Sequence, residues 1–183
     1  MGIKEVTRPV NRVMGADCST QSFAFSIFDD GALVQWGEVF FVGRTVFERL
    51  ADGQRKVRAL KKELQIDKVV IESAVFVQNK KTVILLAYAF GAIMAALIDA
   101  GAEVQEISPL VWQRWAGNPP LTKAEKLAIV NETPSKSVSW YQTKYREFRK
   151  QRNVDNVNAK FGIHVASDNV ADAISIGDWA VHS

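Results

Sequence analysis

The chain has 183 residues, 48% of them hydrophobic, with a net charge of +3 and a pI near 9.0. That length supports one domain able to bury a core, and the single cysteine, Cys18, excludes a disulfide framework and points to a reducing cytoplasm. The opening MGIKEVTRPVNR lacks the apolar stretch of a secretory signal, and the mild basicity permits nucleic-acid binding without requiring it.

Arg12–Cys18 is a short apolar run, and Ser22–Asp29 alternates aromatic or aliphatic residues with small and polar ones. Asp30-Gly31 is a hairpin turn signal, so Ala32–Phe41 completes a predicted antiparallel meander of three strands. From Thr45 to Leu64 the period becomes helical, through Val46, Leu50, Val57, Leu60 and Leu64, with basic residues on the solvated side. Lys68–Ser73 reads as a compact buried strand and Lys80–Ala100 as a helix ended by Gly101. The apolar run of that helix, Thr82–Ile98, is interrupted by Tyr88 and several small residues. It fits a core helix better than a membrane span, which needs about 20 apolar residues.

Ala102–Ile107 is a further strand, Pro109 opens a short helix with Trp112 and Trp115, and Thr122–Val130 is another helix. A polar break at Thr133–Ser137 precedes the basic, aromatic stretch Ser139–Phe161, and Asp168–Val181 closes the chain as an amphipathic helix. A meander followed by strands alternating with helices implies an α/β fold, a mixed five-stranded sheet covered on both faces. One domain over 1–183 is expected, with a basic helical insertion at about 133–161.

Three acids stand at the ends of predicted elements. Asp17 ends the first strand, Glu72 ends the fourth after Val-Val-Ile, and Asp172 lies on the terminal helix among Val170, Ala171, Ala173 and Ile174. A carboxylate inside a sheet costs several kcal/mol unless something compensates its charge, whereas a strand end opens on the edge of the core. Asp168, one turn before Asp172, shares its helix face and also suits an N-terminal cap. Asp178, further along, is expected to be solvated. Carboxylates without a histidine or cysteine cluster select hard cations such as Mg²⁺ or Mn²⁺. Two such ions about 4 Å apart activate water and stabilise the leaving oxygen in phosphodiester cleavage.

With those acids in place, the chain resembles the RuvC-type Holliday junction resolvases of the RNase H-like superfamily, with gaps, from Val13 to about Ala180. Val13-Met-Gly-Ala-Asp17 resembles the family's opening strand, and Glu72-Ser-Ala-Val-Phe76 with Asn79 its second acidic motif. Ala89-Phe-Gly91 is similar to a small-residue segment, Ser108-Pro109 through Gly117-Asn118 and Thr122-Lys123 to a conserved stretch, and Asp172-Ala173 to the acidic helix. The resemblance implies a homodimer that binds four-way DNA and nicks two strands symmetrically with divalent metal. Asp17, Glu72 and Asp172 become metal ligands, Lys123 a basic residue contacting or polarising a phosphate, and Phe76 a base-stacking aromatic. The pattern departs at the fourth ligand, where Asn169 stands three residues before Asp172; Asp168 is the expected ligand and Asn169 the alternative. A phage or mobile element is the expected origin.

Lys144-Tyr145-Arg146-Glu147-Phe148-Arg149-Lys150-Gln151-Arg152 interleaves cations with aromatics, as a surface for phosphates and unpaired bases does. Asn79, Lys80, Lys81, Lys123 and Lys126 join Lys144, Arg146, Arg149, Lys150 and Arg152 as expected DNA contacts. The partner is four-way or branched DNA, and no membrane is expected. The acids alone leave open another RNase H-fold nuclease, acting on RNA–DNA hybrids or other branched DNA, and a non-catalytic junction-binding module. Gly-Ala-Asp-Cys-Ser-Thr also resembles the first phosphate loop of actin- and hexokinase-like ATPases, which need a second domain that this length does not supply.

Overall fold

The computed structural model describes residues 12–73 and 80–183, Lys80 without its side chain. Its elements in chain order are β1 (Arg12–Cys18), β2 (Ser22–Asp29), β3 (Ala32–Phe40), α1 (Val46–Leu64), β4 (Lys68–Glu72), α2 (Lys80–Asp99), β5 (Glu103–Ile107), α3 (Pro109–Trp115), α4 (Lys123–Glu132), α5 (Val138–Phe161) and α6 (Asp168–His182). The sheet runs β3-β2-β1-β4-β5. The first three strands pair antiparallel, and β4 and β5 add in parallel beside β1.

The alternation in β2 has a purpose that the sheet reveals. Phe23, Phe25 and Ile27 point into one core with Met14, Ala16, Val69 and Ile71, beneath Val57 of α1 and Ile93 and Leu97 of α2. On the opposite face the small residues Ala24 and Ser26 leave room for α6, whose Ala171, Ala173 and Ile174 pack there with Phe28 and Val154. The approach is very close. A Cβ on Gly15 would stand 2.2 Å from the Gly177 nitrogen and 2.3 Å from the Ala173 oxygen, and that oxygen accepts a 2.7 Å bond from Ser26 Oγ. Glycine at both positions lets the helix lie directly on β1.

Thr45 and Glu48 form a capping box that starts α1, and Thr122 and Glu125 another that starts α4. Asp52, buried in α1, accepts from the Val42 backbone at 2.8 Å and pairs with Arg55 and Lys56, tying the exit of β3 to the helix. The basic helical insertion expected at about 133–161 is one long helix, α5, capped by Ser137 and ended by Gly162 at φ 64°. Its C-terminal part is anchored by Asn153, Val154 and Val157, and most residues of its N-terminal turns are exposed.

Two expectations change. Of α2, only Ala89, Ile93, Ala96 and Leu97 are buried, because the helix lies on the sheet by one side; Ile84, Tyr88 and Ile98 are half exposed. By length and composition alone it is apolar enough to cross a membrane, a test that a core helix also passes. Asp178 is not solvated. It is buried, accepting from Trp115 Nε1 at 2.7 Å and from Lys160 Nζ at 2.6 Å, because α3 and α5 close over the last turns of α6.

Candidate active site

The register of the sheet brings the acids to one place. Val13 pairs with Lys68 and Ala16 with Ile71, so the next residues, Asp17 and Glu72, end adjacent parallel strands together. Residues Val13, Gly15 and Asp17 face the side of the sheet on which α6 lies. Asp172 sits one residue before Ala173, whose oxygen is the atom packed against Gly15. The close Gly15–Gly177 approach therefore also delivers the third acid.

The carboxylates feel one another. Burial pushes Asp17 up to about 6; Lys150 draws it down, while Asp168 and Glu38 raise it. Glu72 is pushed up to about 7, by burial first and by the charge of Asp17 second, against a hydrogen bond from Trp112. Asp172 is raised furthest, to about 8, by burial and then by Asp17 and Glu72. Like charges in a poorly solvated place each disfavour the ionised form of the others. A positive charge would relieve that repulsion, and carboxylate oxygens are the donors that suit a hard divalent cation.

Three of the four acids are also held by a neighbouring side chain. Trp112 Nε1, on a buried ring, donates to Glu72 at 2.7 Å, and buried Asn153 donates to Asp172 at 2.7 Å while accepting from Ser175 at 3.1 Å. Asp168 is paired with Lys150. Among the described residues no three acids converge on a single ligand position, so the cluster shares a field rather than a finished cage.

Asn169 is engaged by Glu38, at the edge of this cluster. Its amide donates to Glu38 Oε1 at 2.9 Å, and Ser167 Oγ donates to Glu38 Oε2 at 2.9 Å. Glu38 thereby clamps the start of α6 to β3, and the sequence reading missed it. The signal was in the register, because Asp17 pairs with Ala24 and Ala24 with Glu38 in one row across the sheet. Asn153 was missed as well, since an asparagine inside a polar helix has no distinguishing pattern.

Of the expected cations, Lys150 pairs with Asp168, and Arg149 feels the charge of Asp172. Lys123 is exposed at the first turn of α4. Arg149 and Arg152 serve the fold. Arg149 donates to Gln113 at 2.6 Å and to the Asn118 carbonyl at 3.1 Å; Arg152 donates to Asn118 at 2.9 Å, to Glu125 at 2.9 Å and to the Pro119 carbonyl. Lys144 pairs with Glu147 at 2.7 Å, and Lys126 lies over the Tyr145 ring. Arg146 and Lys81 are exposed, Lys80 is placed only as the first residue of α2, and Phe76 and Asn79 lie outside the described residues. Burial pushes the Cys18 thiol up to about 12, which leaves it inert as a nucleophile.

A family model described as crossover junction endodeoxyribonuclease RuvC matches residues 13–133. Nothing among curated proteins matches the chain. Among solved structures, Thermus thermophilus RuvC in complex with a Holliday junction substrate is similar at a TM-score of 0.63, with 15% identity, 91% of this chain and 90% of that one. The yeast mitochondrial Holliday junction resolvase Ydc2 is similar at 0.52, with 11% identity, 95% of this chain and 79% of that one. At such identities the likeness shows the fold, an RNase H-like mixed sheet with helices on both faces, as the sequence led one to expect.

Proposed function

The chain belongs to the RuvC family of crossover junction endodeoxyribonucleases, and from that premise we propose that it resolves four-way DNA junctions by paired, symmetric nicks. The observation that carries this reading is the set of three buried carboxylates, Asp17, Glu72 and Asp172, delivered by two parallel strands and α6 into one shared field. The junction bound to the Thermus protein supports branched DNA as substrate. Asp17, Glu72, Asp172 and Asp168 would hold two divalent ions, Mg²⁺ or Mn²⁺. When bound, such ions supply an activated water and stabilise charge on the phosphoryl oxygens.

The remaining groups act around that chemistry. Trp112 and Asn153 each occupy one oxygen of Glu72 and Asp172 and fix the orientation of the other. Asn169 is committed to Glu38, which favours Asp168 as the fourth ligand. Lys150 stands where a scissile phosphate would approach the acids and exchanges its bond to Asp168 for one to the phosphate. Lys123, exposed at the start of α4, would contact or polarise a phosphate of the bound DNA. The protein is one domain with α5 as its basic addition, acting in the cytoplasm.

Pairing of the nicks needs two active sites, and α2 carries a surface suited to a second copy. Ile84, Tyr88, Gly91, Ala95 and Ile98 are exposed at alternating spacings of four and three residues, the seam of a two-helix coil. Phe47 lies 6.1 Å from Tyr88 and extends that apolar face.

The test is cleavage of a mobile four-way junction beside linear duplex and RNA–DNA hybrid in Mg²⁺, with molecular mass measured in solution and metal binding followed by calorimetry. Symmetric nicks by a dimer that binds Mg²⁺ are expected. Cleavage of the hybrid alone would replace the junction reading with a different RNase H-fold nuclease. Junction binding with neither cleavage nor metal uptake would make the protein a binding module.

A further inference from the structure

A cleft of about 380 Å³ opens between α5 and the segment joining α3 to α4. It is lined at one end by Asp172 and Lys150, and by Gln142, Tyr145, Arg146 and Lys126 on α5 and α4. Its volume lies near the lower end of the roughly 300–1,000 Å³ of small-ligand sites, the size of a single nucleotide rather than of a duplex. Tyr145 and Arg149 are one helical turn apart, about 6 Å of rise, and line the same cleft as Asp172.

The walls are built and rigid. Asn118 donates to the Arg149 carbonyl at 3.0 Å and accepts from Arg152 at 2.9 Å, and Gln113 accepts from Arg149 at 2.6 Å. Those arginines and amides are used up in holding α5 against the loop. A different set remains for a ligand. Among the described residues Arg146 has no ion pair and Gln142 no hydrogen-bond partner, and the Lys126 ammonium lies 5.8 Å from the Tyr145 ring centroid. Tyr145 itself stacks loosely on Tyr141, 6.4 Å away at 22°, which keeps its plane fixed. An aromatic plane, an uncommitted amide, the unpaired Arg146 and the Lys126 ammonium beside the ring, around a one-nucleotide cavity, fit a base with its phosphate.

We propose that this cleft receives one unstacked nucleotide adjoining the scissile phosphate, its base laid on Tyr145, its edge read by Gln142 and its flanking phosphate held by Arg146 and Lys126. The cleft thus supplies the protein's preference for a nucleotide beside the nick. This rests on the junction-nuclease reading, and α5, which contributes Gln142, Tyr145, Arg146 and Lys150 to the cleft, lies beyond the residues 13–133 matched to the family.

The experiment uses the full chain and mobile junctions carrying 2-aminopurine singly on either side of each mapped nick, with EDTA present to prevent cleavage. A change in emission confined to one of those positions is expected in the wild type. Tyr145→Phe should keep that change and Tyr145→Ala should lose it, with junction cleavage in Mg²⁺ slowed about tenfold, the scale of one lost base–aromatic stack. Gln142→Ala should narrow the range of cleavage rates among junctions that differ only at that nucleotide. Wild type that cuts junctions with no emission change at either position overturns the cleft proposal alone. So does a Tyr145→Phe protein as defective as Tyr145→Ala. Wild type that binds no branched DNA overturns the function reading and this proposal together.

Discussion

Asp172 and Asp178 lie six residues apart on α6, and the protein treats their charges in opposite ways. Asp178 is buried with the Lys160 ammonium at 2.6 Å, the Trp115 indole at 2.7 Å and the His182 ring at 3.3 Å. Its charge is compensated within the chain, and it fastens α3 and α5 to the end of α6. Asp172 has one neutral donor, Asn153, and faces Asp17 and Glu72. Among the described residues it has no ion pair, and within the chain Arg149 offsets its charge only from a distance. A buried carboxylate with its own cation is a fastening, whereas one surrounded by other carboxylates is a site.

The sharpest way to break this contrast is to neutralise each acid in turn. Asp172→Asn should lower junction cleavage by more than about 100-fold, the upper end for loss of an outer partner of a metal ligand, while junction binding persists. Asp178→Asn should leave the rate per folded molecule unchanged. Equal losses of rate in the two variants, measured with thermally matched controls, would erase the distinction.

The second prediction concerns pH in EDTA. Asp17, Glu72 and Asp172 have folded values near 6, 7 and 8, all above the ordinary carboxylate range. The folded chain therefore holds protons that the unfolded chain has released, and stability falls as pH rises from about 4 through 8. A loss of about 5 °C or more in Tm between pH 5 and pH 8.5 is expected. Added Mg²⁺ should recover more of it at the higher pH, and Asp172→Asn should flatten the profile. A Tm that rises across this interval in EDTA would show that the acids do not strain one another.

Third, Asp178→Asn should destabilise the fold by about 1–2 kcal/mol in urea denaturation, because bonds to a charged acceptor are weakened while Lys160 is half exposed and partly screened. Fourth and smallest, Trp112→Phe should cost about 1 kcal/mol by removing the donor to Glu72, with a larger proportional fall in metal affinity than in stability. A stability loss with unaltered metal affinity would make Trp112 a core residue alone.

Much of the architecture was legible in the residues. The Asp30-Gly31 turn and the alternating runs around it announced the meander, and the change from a period of two to one of 3.6 located α1. The large-small alternation in β2 was visible too, but its meaning was not, since only α6 lying on Ala24 and Ser26 explains the small positions. Asp168 and Asp172 could be placed on one helix face from spacing. Asp178 was misread as solvated because its partners come from α3 and α5, 63 and 18 residues away.

By itself the sequence determined the order of elements, the strand ends bearing Asp17 and Glu72, and the acidic start of the last helix, because these depend on periodicity and short-range chemistry. The tertiary structure decided which cations serve the site and which serve the fold. It turned Asn169 to Glu38 and gave Lys150 to Asp168, and it set Arg149 in the wall of a cleft and Arg152 behind it against Asn118 and Glu125. Those assignments depend on which groups meet across elements distant in the chain. Burial and mutual charge, the terms that raise Asp17, Glu72 and Asp172, exist only once the sheet and α6 have closed on one another.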